Sequence, residues 1–170
     1  MQKITFSEPV INDRKKIFRL IKKNPPLDVN SEYFYLLMCH HFSNTCVVAK
    51  KNSKIVGFIS AYIPPKEKNT LFVWQAAVLP ELRGKGLAAS MLYSILQRGT
   101  CREIQFVEAT LAPSNKSSYS FLISIANDLG TNFAKTPLFT KDKFGTSKHE
   151  AEELITIGPF ENKKLLEISA

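Results

Sequence analysis

The segment from Leu71 to Ala88 constrains the fold more than any other. Leu71 to Val78 is apolar except for Gln75, which predicts a central strand covered by helices on both faces. Leu79-Pro80-Glu81-Leu82-Arg83 breaks the strand, and Gly84-Lys85-Gly86 follows. From Leu87 the period becomes helical, with Ala88, Met91, Leu92, Ile95 and Leu96 on one stripe. Gly84 and Gly86 permit unusual backbone dihedrals and the close approach of a ligand. The first-turn N–H groups of the helix, at the positive end of its dipole, then face that ligand. Arg83 and Lys85 add positive charge. The turn Arg83, Gly84, Lys85, Gly86, Leu87, Ala88 is therefore a candidate anion site made from main chain.

Around this segment the chain reads as a mixed sheet covered by helices. Lys3–Ser7 predicts a first strand. Asn12 or Asp13 is expected to cap a helix with Ile17, Leu20 and Ile21 inward, stopped at Asn24-Pro25-Pro26. Ser31 opens a second helix, with Tyr33, Leu36, Leu37 and His40 expected on one face. Cys46–Ala49 and Ile55–Ile63, joined by the turn Lys51-Asn52-Ser53, predict an antiparallel hairpin. Ile104–Thr110 is the next strand. Ser114 or Asn115 caps a helix carrying Ser118, Phe121, Leu122, Ile125 and Leu129. Pro137–Phe160 is expected to hold a phenylalanine-rich loop and a strand near Leu154–Ile157. The order β, α, α, β, β, β, α, β, α, β, β shows no repeat and no linker, so residues 1–170 are expected to form a single domain.

Charge asks what the anion is. The 170 residues carry 23 Lys and Arg against 15 Asp and Glu, a net +8. Nucleic acid, an anionic membrane surface or a phosphorylated small molecule would each suit that excess. The cations fall in short groups, Arg14-Lys15-Lys16, Lys22-Lys23 and Lys50-Lys51, which read as solvated faces. No nucleic-acid-binding pattern of aromatic residues, recognition helix or basic stripe appears. The longest nearly apolar stretch, Ile55–Ile63, is far short of the ~20 residues of a membrane helix. The first ten residues contain no apolar core of a leader. Cys39, Cys46 and Cys101 are odd in number and lack metal-ligand spacing, which favours a reducing compartment and predicts a cytoplasmic protein. His149-Glu150 and His40-His41 do not have ligand spacing, so no metal is expected.

Gly84-x-Gly86-x-x-Ala89, with Glu108 at the distance of a ribose-binding acid, also satisfies the dinucleotide fingerprint. The context disfavours that oxidoreductase reading. The fingerprint belongs directly after the first strand of a doubly wound half, whereas here it lies in mid-chain after an antiparallel meander. Arg83-x-x-Gly86-x-Ala88, opening a helix after an apolar strand, instead resembles the acetyl-CoA pyrophosphate loop of the GNAT N-acetyltransferase superfamily. Further segments resemble, in order, its L-2,4-diaminobutyrate acetyltransferase family of ectoine biosynthesis. They are Pro26-Leu27-Asp28-Val29-Asn30-Ser31-Glu32-Tyr33, Cys39-x-His41-Phe42, Phe72-Val73-Trp74-Gln75, Phe144-Gly145, His149-Glu150 and Ile157-Gly158-Pro159-Phe160.

The resemblance implies an α/β GNAT fold: a mixed, mostly antiparallel sheet of about six to seven strands with about four helices. It implies acetyl-CoA as cosubstrate, a small diamino acid as acceptor and a homodimer. It further implies that the strand at Ala76 and Val78 pairs with the pantetheine arm, and that Asn115 touches the cofactor near its thiol; from the residues alone Asn115 is equally a helix cap. A runner-up is a GNAT enzyme for another small diamine or amino acid.

Acetyl transfer to an amine requires a held thioester, a deprotonated amine and a managed leaving thiolate. Glu108 is the first candidate base, and its alternative is an exposed strand residue. Asp28 and Glu108 could receive ammonium groups, while Asn30, Tyr33, Trp74 and His149 offer donors or walls. Trp74 could equally be core, Tyr33 a helix core residue and Asp28 a turn acid. Superfamily members often place a thiolate-protonating Tyr seven residues after the Asn; here that position is Leu122, and Tyr119 sits too early in the helix to inherit the role. The general acid is unassigned.

Overall fold

The computed structural model describes residues 3–145 and 149–168. Residues 146–148, within the expected phenylalanine-rich loop, lie outside the described residues. Strands are β1 (Ile4–Ser7), β2 (Val47–Lys51), β3 (Lys54–Tyr62), β4 (Thr70–Val78), β5 (Phe106–Leu111), β6 (Phe133–Phe139) and β7 (Glu152–Ile157). Helices are α1 (Arg14–Lys22), α2 (Glu32–His40), α3 (Leu87–Leu96), α4 (Lys116–Leu129) and α5 (Asn162–Ile168). The strands form one mixed sheet in the order β1-β2-β3-β4-β5-β7-β6. It is parallel at β4–β5 and antiparallel at β1–β2, β2–β3, β5–β7 and β6–β7. By its contacts the chain divides into two compact units, Met1–Ile63 with Val73–Arg102, and Pro64–Phe72 with Glu103–Ala170.

In the first unit, α1 buries Ile17, Leu20 and Ile21, as the periodicity predicts. They join Tyr35, Met38 and Cys39 of α2, with Val48, Ile55, Phe58 and Ala77, in one core. Asp13 precedes α1 but does not cap it. Its carboxylate instead accepts the Val10 N–H (3.2 Å) and pairs with Lys50 (3.0 Å).

The face expected of α2 is corrected. Tyr35, Met38 and Cys39 point inward, while Tyr33 is 67% exposed and His40 is exposed. The helix sequence EYFYLLMCH is apolar almost all round, so no stripe stands out. The choice falls to Tyr35, whose hydroxyl finds a buried acceptor in Gln75 (3.3 Å).

The faces of β4 are corrected too. Leu71, Val73, Gln75 and Ala77 are buried, but Phe72 and Ala76 are half-buried and Trp74 is 49% exposed. One face is closed; the other is partly open at Phe72, Trp74 and Ala76 and closes again at Val78, beside the turn. On α3, Leu87, Met91, Leu92, Ile95 and Leu96 are buried, and the helix packs against β2 and β3.

In the second unit, β5 alternates cleanly: Val107, Ala109 and Leu111 are buried, and Phe106, Glu108 and Thr110 are half-exposed. Its register sets Glu108 opposite Phe72 of β4 on one side and Thr156 of β7 on the other. The chain before β7, expected as loop from Pro137, contains the end of β6. Pro137 is tolerated because β6 is an edge strand with a register shift beside that residue. α4 is capped by Asn115 and ends at Gly130 in the left-handed region. The helix α5 has no expected counterpart, since its short apolar pattern alone predicts little.

Candidate active site

The glycine turn has the geometry its sequence predicts. β4 ends at Val78, a 3-10 turn covers Pro80–Leu82, and Arg83 is extended with φ −68° and ψ 157°. Gly84 and Gly86 lie at φ +70° and +74°, and a Cβ on either would meet nothing within 4 Å. The glycines are therefore required by dihedral angle alone, with open space above them. Gly86 is the N-cap of α3 and no side chain caps that end. The first intrahelical bond starts at the Ser90 N–H, accepted by the Gly86 carbonyl (3.0 Å). The preceding N–H groups are left for a ligand. An open, uncapped helix start of this kind fits a pyrophosphate.

The two cations of the turn are not loose. Arg83 donates from Nε to the Val78 carbonyl (3.2 Å) and from Nη2 to Asn24 Oδ1 (2.6 Å). Asn24, 3% exposed, donates in turn to the Leu20 carbonyl (2.7 Å). Lys85 folds back onto the Glu81 carbonyl (3.0 Å). The ammonium is thus oriented by a main-chain carbonyl and the guanidinium by a carbonyl and the Asn24 side chain, and the turn holds its charge in place.

Four expected acceptor-binding residues, Asp28, Asn30, Tyr33 and Trp74, lie in the first unit, and Gln75 ties down the loop that carries two of them. The Gln75 amide donates to the Asp28 carbonyl (2.7 Å), and its oxygen accepts from Tyr35. Asn30 meets the same hydroxyl: its backbone and side-chain amides act on Tyr35, although burial is the larger influence and raises that phenol above its ordinary range. Asn30 Nδ2 is itself buried with no hydrogen bond completed. Ser31 caps α2 by accepting the Phe34 N–H (3.2 Å), so Asp28, Asn30 and Tyr33 occupy a loop and helix start fixed from below. Trp74 stands edge-on to Phe34 (centroids 4.8 Å apart) and Tyr62 (6.2 Å). It is half-exposed with an aromatic backing, and neither it nor Tyr33 is core.

Glu108, Asn115 and His149 belong to the second unit. Glu108 Oε1 accepts from Thr156 Oγ1 (2.9 Å), which orients the carboxylate. Asn115 Oδ1 accepts the Ser118 N–H (3.2 Å), so its cap role is real. His149 stacks on Phe144 (4.1 Å, 17°), donates from Nδ1 to the Glu150 carbonyl (2.8 Å) and sets Nε2 3.7 Å from Glu152 Oε1. Beside it, Glu150 accepts from Ser114.

Tyr119 donates its hydroxyl to Glu153, which also pairs with Lys135 (3.3 Å). Burial, helped by that carboxylate, pushes the Tyr119 phenol up to about 12. The Tyr119 hydroxyl is thus engaged within this cluster; Leu122 is buried at 2% exposure.

Three contributors escape sequence reasoning. Gln75 is visible only as the polar exception in an apolar strand. Thr156 and Glu152 carry no local signal, because their partners are set by strand register and by the approach of a distant segment. Among the described residues no group of three potential ligands could hold a metal.

Comparison with known proteins agrees with this geometry. The profile of the Acetyltransferase (GNAT) family matches residues 14–122. L-2,4-diaminobutyric acid acetyltransferase of Marinococcus halophilus is 42% identical over 92% of this chain and 91% of its own length. The enzyme so named from Methylotuvimicrobium alcaliphilum is 43% identical over 92% of this chain and 91% of its own. The structure of diaminobutyrate acetyltransferase EctA from Paenibacillus lautus, in complex with L-2,4-diaminobutyric acid and coenzyme A, superimposes with a TM-score of 0.90. It shares 34% identity and covers 94% of this chain and 97% of that one. Ard1 from Thermoplasma volcanium, at 16% identity and a TM-score of 0.72, shares the fold. With its glycine turn, its mixed sheet and these relatives along nearly its whole length, the chain belongs to the GNAT acetyltransferase family.

Proposed function

We propose that the chain transfers the acetyl group of acetyl-CoA to the γ-amino group of L-2,4-diaminobutyrate, releasing N4-acetyl-L-2,4-diaminobutyrate and CoA. The observation that carries this reading is the likeness to the diaminobutyrate-bound EctA along nearly the whole chain. The open, uncapped start of α3 supports the cofactor half of it. We also take the whole chain as one catalytic domain, since the family profile draws on residues of both compact units.

Bound acetyl-CoA supplies an activated thioester carbonyl. The chain does the rest. The Arg83–Ala88 turn grips the pyrophosphate, with Ala76 and Val78 of β4 and Asn115 serving the pantetheine arm. The γ-amine is protonated near neutral pH, with a pKa of about 10 for a lysine-like group. Glu108 takes that proton: Thr156 occupies Oε1, and Oε2 is the oxygen offered to the amine. The neutral amine then attacks the thioester directly. Its lone pair forms the new C–N bond, the C–S bond breaks, and the proton that the acylated nitrogen sheds to become the amide passes to the thiolate, directly or through water. Buried cysteines support direct attack. Burial holds Cys39 at about 11 and Cys46 at about 12, so neither thiol is a ready nucleophile. Asp28, Asn30, Tyr33, Trp74 and His149 bind the α-ammonium and α-carboxylate, leaving the γ-amine aimed at the thioester.

Thiol release from acetyl-CoA across a panel of diamines, with NMR of the product, tests the proposal. Preference for diaminobutyrate and acetylation at the γ-nitrogen are expected. Acetylation at the α-nitrogen, or no preference, defeats it. Trp74→Ala should lower kcat/KM for diaminobutyrate by roughly tenfold or more, as loss of a large aromatic wall does; an unchanged value removes Trp74 from the pocket. The same family likeness supports a homodimer and a place in ectoine biosynthesis in the cytoplasm. Sedimentation at twice the chain mass and neighbouring aminotransferase and ectoine synthase genes are the expected findings.

A further inference from the structure

The loop between α1 and α2 carries two of the acceptor-binding residues, and two buried side chains from other elements pin it. Leu27 packs against the core of the first unit, and Ser31 caps α2. Between them Asp28 and Val29 are exposed and Asn30 is half-buried. The pins are Tyr35 of α2 and Gln75 of β4, both buried. Their polarity is fixed. The Gln75 amide nitrogen donates to the Asp28 carbonyl (2.7 Å), which can only accept. The Gln75 oxygen is therefore the end turned to Tyr35, whose hydroxyl donates to it (3.3 Å). With its one proton spent, that hydroxyl meets the Asn30 backbone amide as an acceptor. The Asn30 side-chain amide leans on the same hydroxyl without completing a bond, which leaves a buried donor for an oxygen of a ligand. The result is a one-way relay, Asn30 to Tyr35 to Gln75 to the Asp28 carbonyl, that leaves and re-enters one loop. Away from water each member of such a chain strengthens the next.

Gln75 also immediately precedes Ala76 of β4, one of the strand residues given above to the pantetheine arm. The relay therefore ties the loop that receives the α end of the acceptor to the strand that receives the thioester, both within the first unit. The separation between loop and strand sets how long a chain fits between the α-carbon and the reacting amine. We propose that the Tyr35 hydroxyl is a specificity-determining positioning group. Through Gln75 and Asn30 it holds that separation at the length of diaminobutyrate and so works against a diamino acid one methylene longer. One methylene is worth about 10–200-fold in such discrimination, and a misplacement of about 1 Å costs on the order of 10²-fold in rate. The slack that the relay removes from the loop is of that size. The inference rests on the proposed function, with Asp28 and Asn30 as acceptor-binding residues.

Tyr35→Phe on the full chain tests this, because it removes the hydroxyl and keeps the ring with its edge contacts to Phe18, Phe34 and Phe58. The readout is the ratio of kcat/KM for diaminobutyrate to kcat/KM for ornithine, with the KM for acetyl-CoA and the melting temperature measured alongside. Wild type should show a ratio of about tenfold or more. Tyr35→Phe should lower it by roughly fivefold, in line with one buried hydrogen bond, by losing diaminobutyrate use more than ornithine use. The KM for acetyl-CoA should not change. Gln75→Leu breaks the next link, so it should lower the ratio by a similar factor, and it carries the test if Tyr35→Phe does not fold. The double variant Tyr35→Phe/Gln75→Leu should go no further than the larger single effect, since both act through one relay. Equal losses for the two amino acids in Tyr35→Phe mean a merely structural hydroxyl and overturn the proposal. An unchanged ratio, or losses that add in the double variant, overturn it as well. Wild type that uses ornithine as well as diaminobutyrate, or neither of them, would instead count against the proposed function.

Discussion

The glycine turn and the Glu108 strand are built by opposite means. The turn is built from main chain: two left-handed glycines, an uncapped helix start, and two cations steered by carbonyls. The Glu108 strand is built from side chains, a carboxylate oriented by one threonine on the facing strand. A main-chain site depends on local dihedral angles. A side-chain site depends on register, and a single atom can carry its chemistry.

The largest effect should come from the side-chain region. Glu108→Gln keeps the shape and the Thr156 contact but removes the proposed base, so kcat should fall about 10²–10⁴-fold, the usual worth of a general base. A full-rate variant would remove Glu108 from the mechanism and leave the strand a scaffold. Next comes the turn. Gly86→Ala meets no neighbouring atom, so its cost is the left-handed dihedral alone, about 1–2 kcal/mol. Acetyl-CoA affinity should drop by roughly tenfold, and Gly86→Asn should recover much of it, because Asn tolerates that region. Equal damage from Ala and Asn would mean that the space above the turn, and not its dihedral, matters.

A smaller effect tests the support of the acceptor loop. Gln75→Leu removes one partner each from the Asp28 carbonyl and the Tyr35 hydroxyl, so the KM for diaminobutyrate should rise roughly fivefold with kcat little changed, in line with one buried hydrogen bond. A fall in kcat with KM unchanged would tie Gln75 to the chemistry instead. The smallest concerns Tyr119. Its phenol titrates near 10.0 when unfolded and about 12 when folded, so the folded state holds the proton longer. That contribution is complete below pH 10 and lost as pH rises toward 12. Tyr119→Phe should therefore melt with a shallower decline across that window than wild type; identical declines would show that the Glu153 contact has no such weight.

What was legible in the sequence follows the same division. The turn was readable because glycine, proline and helical period act within a dozen residues. The stripe of α1 was readable for the same reason. The Glu108–Thr156 pair spans 48 positions and the Gln75–Asp28 bond 47, and no local pattern carries such distances. Gln75 stood out in an apolar strand, yet its partner did not. The face of α2 was misread because a helix apolar on nearly every side leaves orientation to one tertiary hydrogen bond. β6 was counted in the element order but not placed, because an edge strand can contain proline and show little burial.

Asn24 has a kinetic consequence. It donates to the last turn of α1 and accepts from Arg83, 59 positions away. Any ligand that stills the Arg83 guanidinium must also slow the fraying of that helix end. Amide hydrogen exchange at Lys23 and Asn24, whose N–H groups donate to Leu20 and Ile21, should therefore report occupation of the turn from the end of a distant helix.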